Sequence, residues 1–210
     1  MPSLYMGIIV PAAILLPVTA AVIRKKYWQP PERLIFVYLM LSGVFNILAA
    51  ALAARSINNL PLLHLYTVIE FTVIAAFFRS IVEPGRARML ITWLMGLFPL
   101  MALINIYLLD SIFLYNLIPR SVEAIIVVSF CIYYLMKSLS FSAGKSPFFN
   151  FAVVVSFLLY FSGSLALFAL SDFIIANKKI NALIWNTHAT FVLIMYLIIA
   201  VAYYKTKHEK

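Results

Sequence analysis

Along this chain, polar residues come in short clusters separated by apolar runs of about 20 residues, the length an α-helix needs to cross a bilayer. The runs predict an all-α integral membrane protein with seven transmembrane helices, over 4–24, 33–55, 61–82, 88–108, 115–137, 148–171 and 181–204. The breaks read YWQPPER, RSINN, EPGRAR, LLDS, SAGKSP and SDFIIANKK, which supply the Pro, Gly, Asn or charge that ends a helix. Every connection is short and the tail after Tyr204 is KTKHEK, so the expectation is a single seven-helix membrane domain over 1–210 with no soluble domain. Met1 to Tyr5 lacks the basic start of a signal peptide, and the basic cluster Arg24, Lys25, Lys26 follows the apolar run instead. That order reads as an uncleaved first helix. Pro11, Pro17 and Pro99 interrupt spans one and four and mark expected kinks.

Composition agrees: 65% of the residues are hydrophobic and 11% charged, against about 25% charged in soluble domains. The net charge of +9 would suit a nucleic-acid partner, so the position of the charges decides. With the N-terminus outside, the inner loops and tail hold Arg24, Lys25, Lys26, Arg33, Arg79, Arg86, Arg88, Lys137, Lys145, Lys205, Lys207 and Lys210. The outer loops hold Arg55, Lys178 and Lys179. This bias predicts an outside N-terminus and a cytoplasmic C-terminus, in a bacterial inner membrane, and it accounts for the charge without nucleic acid. Trp28 and Trp185 fall where interfacial indoles are expected. Cys131 is the only cysteine, so no intrachain disulfide forms, and its apolar surroundings read as a small core side chain.

Ionisable groups inside spans point to function by default. They are His64, Glu70, Arg120, Glu123 and His188. At 1.5 Å per residue, Glu70 lies about 15 Å below the outer end of span three, Glu123 about 12 Å deep in span five and Arg120 about 7 Å deep. Asn46, Asn105, Tyr107, Tyr115, Asn116, Ser164 and Asn186 also fall in the outer half. The inner stretches, such as IIVVSFCIYYLM and FAVVVSFLLY, carry hydroxyls as almost their sole polar groups. The asymmetry predicts a polar cavity open to the outside and floored near the midplane. Arg120 and Glu123 share a helix face at three residues' spacing, as Tyr66 and Glu70 do at four. Arg120 is expected to bridge Glu123 and Glu70, leaving either a net negative site or one proton on Glu70. His64 points about 120° from Glu70, and Asn186 and His188 diverge by about 160°, so at most one of that pair faces the cavity. The candidate ligand-binding set is Glu70, Arg120, Glu123, Tyr66, His64, Asn46, Asn105, Asn116, Asn186 and His188. A buried ion and hydrogen-bond network that fixes helix register is the alternative role for these groups.

Several functions are excluded or disfavoured. Retinal attachment needs a lysine within the last span, and the lysines there lie only at its ends. Intramembrane metal hydrolysis would need several histidines with carboxylates at helical spacing, and neither His64 nor His188 sits in such an arrangement. No phosphate loop or serine-nucleophile motif occurs, so no catalytic residue, metal or cofactor is expected. Ser42, Asn46, Ala49, Ala50 and Ala53 in span two read as helix packing, as does the sequence around Gly163. LYMGIIVP and YLMLSG in spans one and two echo LYNLIP and YFSG in spans five and six, which suggests a 3+1+3 parallel repeat. In size and span number the plan is similar to small sugar transporters and luminal retrieval-signal receptors, an analogy of architecture that carries no residues across. The expected role is receptor-like or accessory: a small polar or amphiphilic ligand from the outer side, reported through a membrane signalling partner. Small-solute transport and a structural place in a membrane complex are the alternatives.

Overall fold

The structure, a computed structural model, describes residues 4–108, 111–139, 147–169 and 178–206. Most of LLDS, SAGKSP and SDFIIANKK, including Lys145, and the residues from Lys207 onward lie outside the described residues. Seven helices are long and apolar enough to cross a membrane. They are α1 Tyr5–Ile23, α2 Pro30–Ala54, α3 Leu60–Ile81, α4 Arg86–Leu108, α5 Leu117–Leu139, α6 Phe148–Ala169 and α7 Lys178–Lys205. The chain is a polytopic integral membrane protein, with these seven spans among the described residues.

The helix faces suit lipid. On α4, Leu90, Trp93, Leu97, Leu100 and Ile104 are exposed at alternating three- and four-residue steps, while Ile91, Phe98, Ala102 and Asn105 are buried. One apolar stripe is thus left for hydrocarbon and another packs inside. Prolines act where expected in α1. Residues Tyr5–Ile9 form a π turn, in which the Val10 amide donates back to Tyr5. Helix resumes at Leu15–Ile23. Pro17 has no N–H to offer Ala13, whose carbonyl accepts the Leu16 amide at 3.0 Å instead. Pro99, by contrast, lies inside a continuous α4.

Two compact units are distinguished, Met1–Glu32 with Ala124–Lys210, and Arg33–Glu123. This groups spans one, six and seven in one unit and two, three and four in the other, with α5 divided between them; the grouping does not itself display the expected repeat. In the first unit, α6 and α7 run antiparallel, since Phe149 stacks edge-on against Tyr203 and Ser164 reaches His188. The Phe191 ring of α7 packs against Gly163 on α6, where an added Cβ would come within 2.6 Å of it. Packing is therefore the role the structure gives Gly163. α1 runs parallel to α7, with Tyr5 bonded to Thr190 near one end and Trp28 against Tyr203 near the other.

In the second unit α2 and α3 are antiparallel, joined by Ser42–Tyr66 and Tyr38–Glu70. α3 and α4 are antiparallel too, with Phe71 stacked on Phe98 at 4.1 Å and Arg79 bonded to Thr92 at 3.0 Å. The α2–α3 turn closes on Ser56, which adopts φ 57°. The Ile57 amide then donates to Leu52 and the Ser56 amide to Ala53, a left-handed helix stop.

Candidate functional site

The second unit gathers most of the residues that the sequence singles out. α3 and the chain leading into α5 run side by side in the same direction, and polar contacts climb between them in rungs. His64 Nε2 lies 3.0 Å from the Leu114 carbonyl. The Asn116 side-chain amide donates to Thr67 Oγ1 at 2.7 Å. Arg120 Nη1 donates to Glu70 Oε2 at 2.5 Å. Steps of three along α3 drift by about 60° each, so these positions form a slanted line that tracks a neighbour crossing at an angle. This is how His64 joins the seam although it points well away from Glu70.

Glu70 is fully engaged. Its Oε2 takes the guanidinium, while its Oε1 accepts the Tyr66 hydroxyl at 2.9 Å and the Tyr38 hydroxyl at 3.3 Å. Tyr66 comes from one turn earlier on α3, the face expected by helical spacing, whereas Tyr38 comes from α2 and was not anticipated. The Arg120 guanidinium also lies over the Tyr66 ring, 5.4 Å from its centre.

Glu123 is engaged on one side only. The same Arg120 nitrogen reaches Glu123 Oε2 at 3.3 Å. Glu123 Oε1 is buried and has no hydrogen-bond partner among the described residues. Asn116 Oδ1 is in the same condition. Asn116 stands at the start of α5, where its backbone carbonyl accepts the Arg120 amide. Its side chain would ordinarily cap the second or third helical amide. Pro119 occupies the third position and has no amide to offer. Two carboxylates and one guanidinium thus share a buried cluster, with acceptor capacity left over and a formal balance of −1 when both acids are ionised.

The remaining candidates are distributed as follows. Asn105 is buried on α4 in the same unit. Asn46 is exposed on α2. It lies one turn beyond Ser42, and each step of four turns the helix a further 40°, away from the face that carries Tyr38 and Ser42. Asn186 and His188 belong to the first unit, where both are half-buried. His188 Nδ1 is 3.3 Å from Ser164 Oγ, and its ring packs near Tyr160 and Trp185.

Tyr38, Ser42 and Thr67 belong to the network and are not in the sequence-derived set. Their signal was spacing: 38 and 42 repeat by four on one face of α2, and Thr67 precedes Glu70 by three on α3. The first unit holds a further polar group that the sequence reading placed in a loop or passed over. Glu32, Asn150 and Thr206 are buried and line a cavity of about 560 Å³ together with Tyr27, Phe148 and Lys205. Glu32 Oε2 accepts the Gln29 amide at 2.9 Å, the acidic half of a capping box at the start of α2. The chain matches no protein-family model, no curated protein and no solved structure.

Proposed function

We propose that this membrane protein has a receptor-like or accessory role, binding a small polar or amphiphilic molecule from the outer side at the Glu70–Arg120–Glu123 cluster. Occupancy would then be passed to a membrane signalling partner. The observation that carries this reading is the unused Glu123 Oε1. A buried acceptor left without a donor costs about 1–3 kcal/mol, and more when it is charged. Such a group inside a transmembrane segment is expected to serve something beyond the fold. The engaged atoms around it support the same view. Tyr38, Tyr66 and Arg120 hold Glu70, Glu70 in turn orients Arg120, and Arg120 fixes the angle at which Glu123 is presented.

A structural role is the second reading, favoured by Glu70 itself, whose two oxygens take three donors. A saturated carboxylate pairs helices well and has little left for a ligand. The two readings part in a thermal-shift screen of the purified protein against polar metabolites, run with Glu70→Gln and Arg120→Gln beside the parent chain. Ligand binding predicts at least one compound that stabilises the parent and loses that effect with Arg120→Gln. If both variants only lower the melting temperature and no compound shifts any of the three, the cluster is structural and the proposal fails.

A further inference from the structure

The geometry points to the chemistry of the ligand: it is a cation with N–H donors, a protonated amine or amidine, seated on Glu123 Oε1. This rests on the ligand-binding reading of the cluster and narrows it. Charge is the first argument. Glu70 and Glu123 both take their cation from one nitrogen of Arg120, so a single positive charge serves two acids. A further positive charge balances the cluster, whereas an anion would add to the excess.

Hydrogen-bonding capacity is the second argument. Glu123 Oε1 and Asn116 Oδ1 are both acceptors, both buried, and both without partners among the described residues. They stand seven residues apart on α5, a separation that returns to within about 20° of the same face. An anionic or purely accepting ligand finds no use for either atom.

Two simpler occupants fit less well. A proton on Glu123 Oε1 cancels the charge but brings no donor to Asn116 Oδ1. A bare metal cation needs a shell of several oxygens. Among the described residues no three His, Cys, Asp or Glu side chains gather in a way that would hold one. An ammonium supplies both the missing charge and directed, charge-assisted N–H donors.

The test uses the full chain, purified in nanodiscs, with n-butylammonium, tetramethylammonium, sodium and n-butyrate at matched ionic strength. Binding is read by calorimetry and by thermal shift. The expected order is n-butylammonium first, with tetramethylammonium, which lacks N–H groups, at least about tenfold weaker, and with sodium and n-butyrate inert. Glu123→Gln should abolish the n-butylammonium response. If n-butyrate binds and Arg120→Gln removes it, the cluster is still a ligand site and the cationic assignment is wrong. Sodium matching n-butylammonium, or n-butylammonium binding unchanged by Glu123→Gln, also overturns the assignment. If no probe binds and no metabolite shifts the protein, both the assignment and the ligand-site reading fall. Should Glu123→Gln not fold, the order of the four probes on the parent chain decides alone.

Discussion

Tyr66 donates its hydroxyl proton to Glu70 at 2.9 Å, and this fixes the direction of the next bond in line. A phenol has one proton to give. The 2.7 Å contact between Tyr66 and Ser42 must therefore run from Ser42 to Tyr66. Ser42 thus donates to Tyr66 and Tyr66 to Glu70, while Arg120 donates to Glu70 from the other side, so α2, α3 and α5 meet in one network that converges on a single carboxylate.

Tyr66→Phe should cut that chain at its middle. The expected loss is about 1–3 kcal/mol, because Glu70 loses a donor and Ser42 an acceptor. Ser42→Ala should cost less, about 0.5–1.5 kcal/mol, and should cost almost nothing more once Tyr66→Phe is present. Unfolding in mixed micelles of the two single variants and the double variant measures the coupling. Additive losses would mean that the two hydroxyls act independently.

Arg120→Gln should be the most disruptive single change in the cluster. It leaves two buried carboxylates facing one another without a cation, at an expected loss of about 3–5 kcal/mol. Adding Glu70→Gln removes one of those charges and should recover part of the loss. The measurement is the melting temperature of the three variants at neutral pH. A double variant less stable than Arg120→Gln alone would contradict the charge argument.

Gly163→Ala should strain the α6–α7 contact, since the new methyl would come within 2.6 Å of the Phe191 ring. Overpacking of this kind costs about 1–3 kcal/mol. Phe191→Leu made in the Gly163→Ala background should restore most of it by withdrawing the ring edge. Thermal unfolding of the single and paired variants reports this directly, and a tolerated Gly163→Ala would show that the helices have slack there.

Ser56→Gly should stabilise the protein by about 0.5 kcal/mol. Ser56 adopts φ 57° at the end of α2, a conformation that costs an L-residue about 1–2 kcal/mol and that glycine adopts freely. Part of the gain is returned because glycine is more mobile when unfolded. Ser56→Val should move the melting temperature the opposite way, and equal downward shifts for both variants would remove strain as the cause.

The seven helices were legible because a bilayer imposes one length on every span, and each end of the described helices falls within three residues of its expected place. The pairing of Arg120 with Glu123 was legible from spacing on a single helix, and that of Arg120 with Glu70 from the scarcity of charge inside the membrane. Contacts such as His64 with Leu114 or Asn116 with Thr67 were not legible. They depend on which helices are neighbours and at what angle they cross, and polarity along one strip of sequence does not encode either. Asn46 shows the same limit from the other side. Its depth was readable, but which way it faces depends on where α2 turns past Ser42.

Finally, the interrupted ladder of α1 has a mechanical consequence. A continuous helix answers a change in bilayer thickness by tilting as one body. α1 is a π turn, a short α turn and a nine-residue helix in series, and at Pro17 the Ala13 carbonyl accepts the Leu16 amide in place of the one proline lacks. A helix built of short pieces bends more readily at its joints than one unbroken rod does. When the surrounding membrane thins or thickens, α1 is therefore the span expected to bend first, and α6 and α7, locked by the Gly163–Phe191 contact, are expected to keep their register.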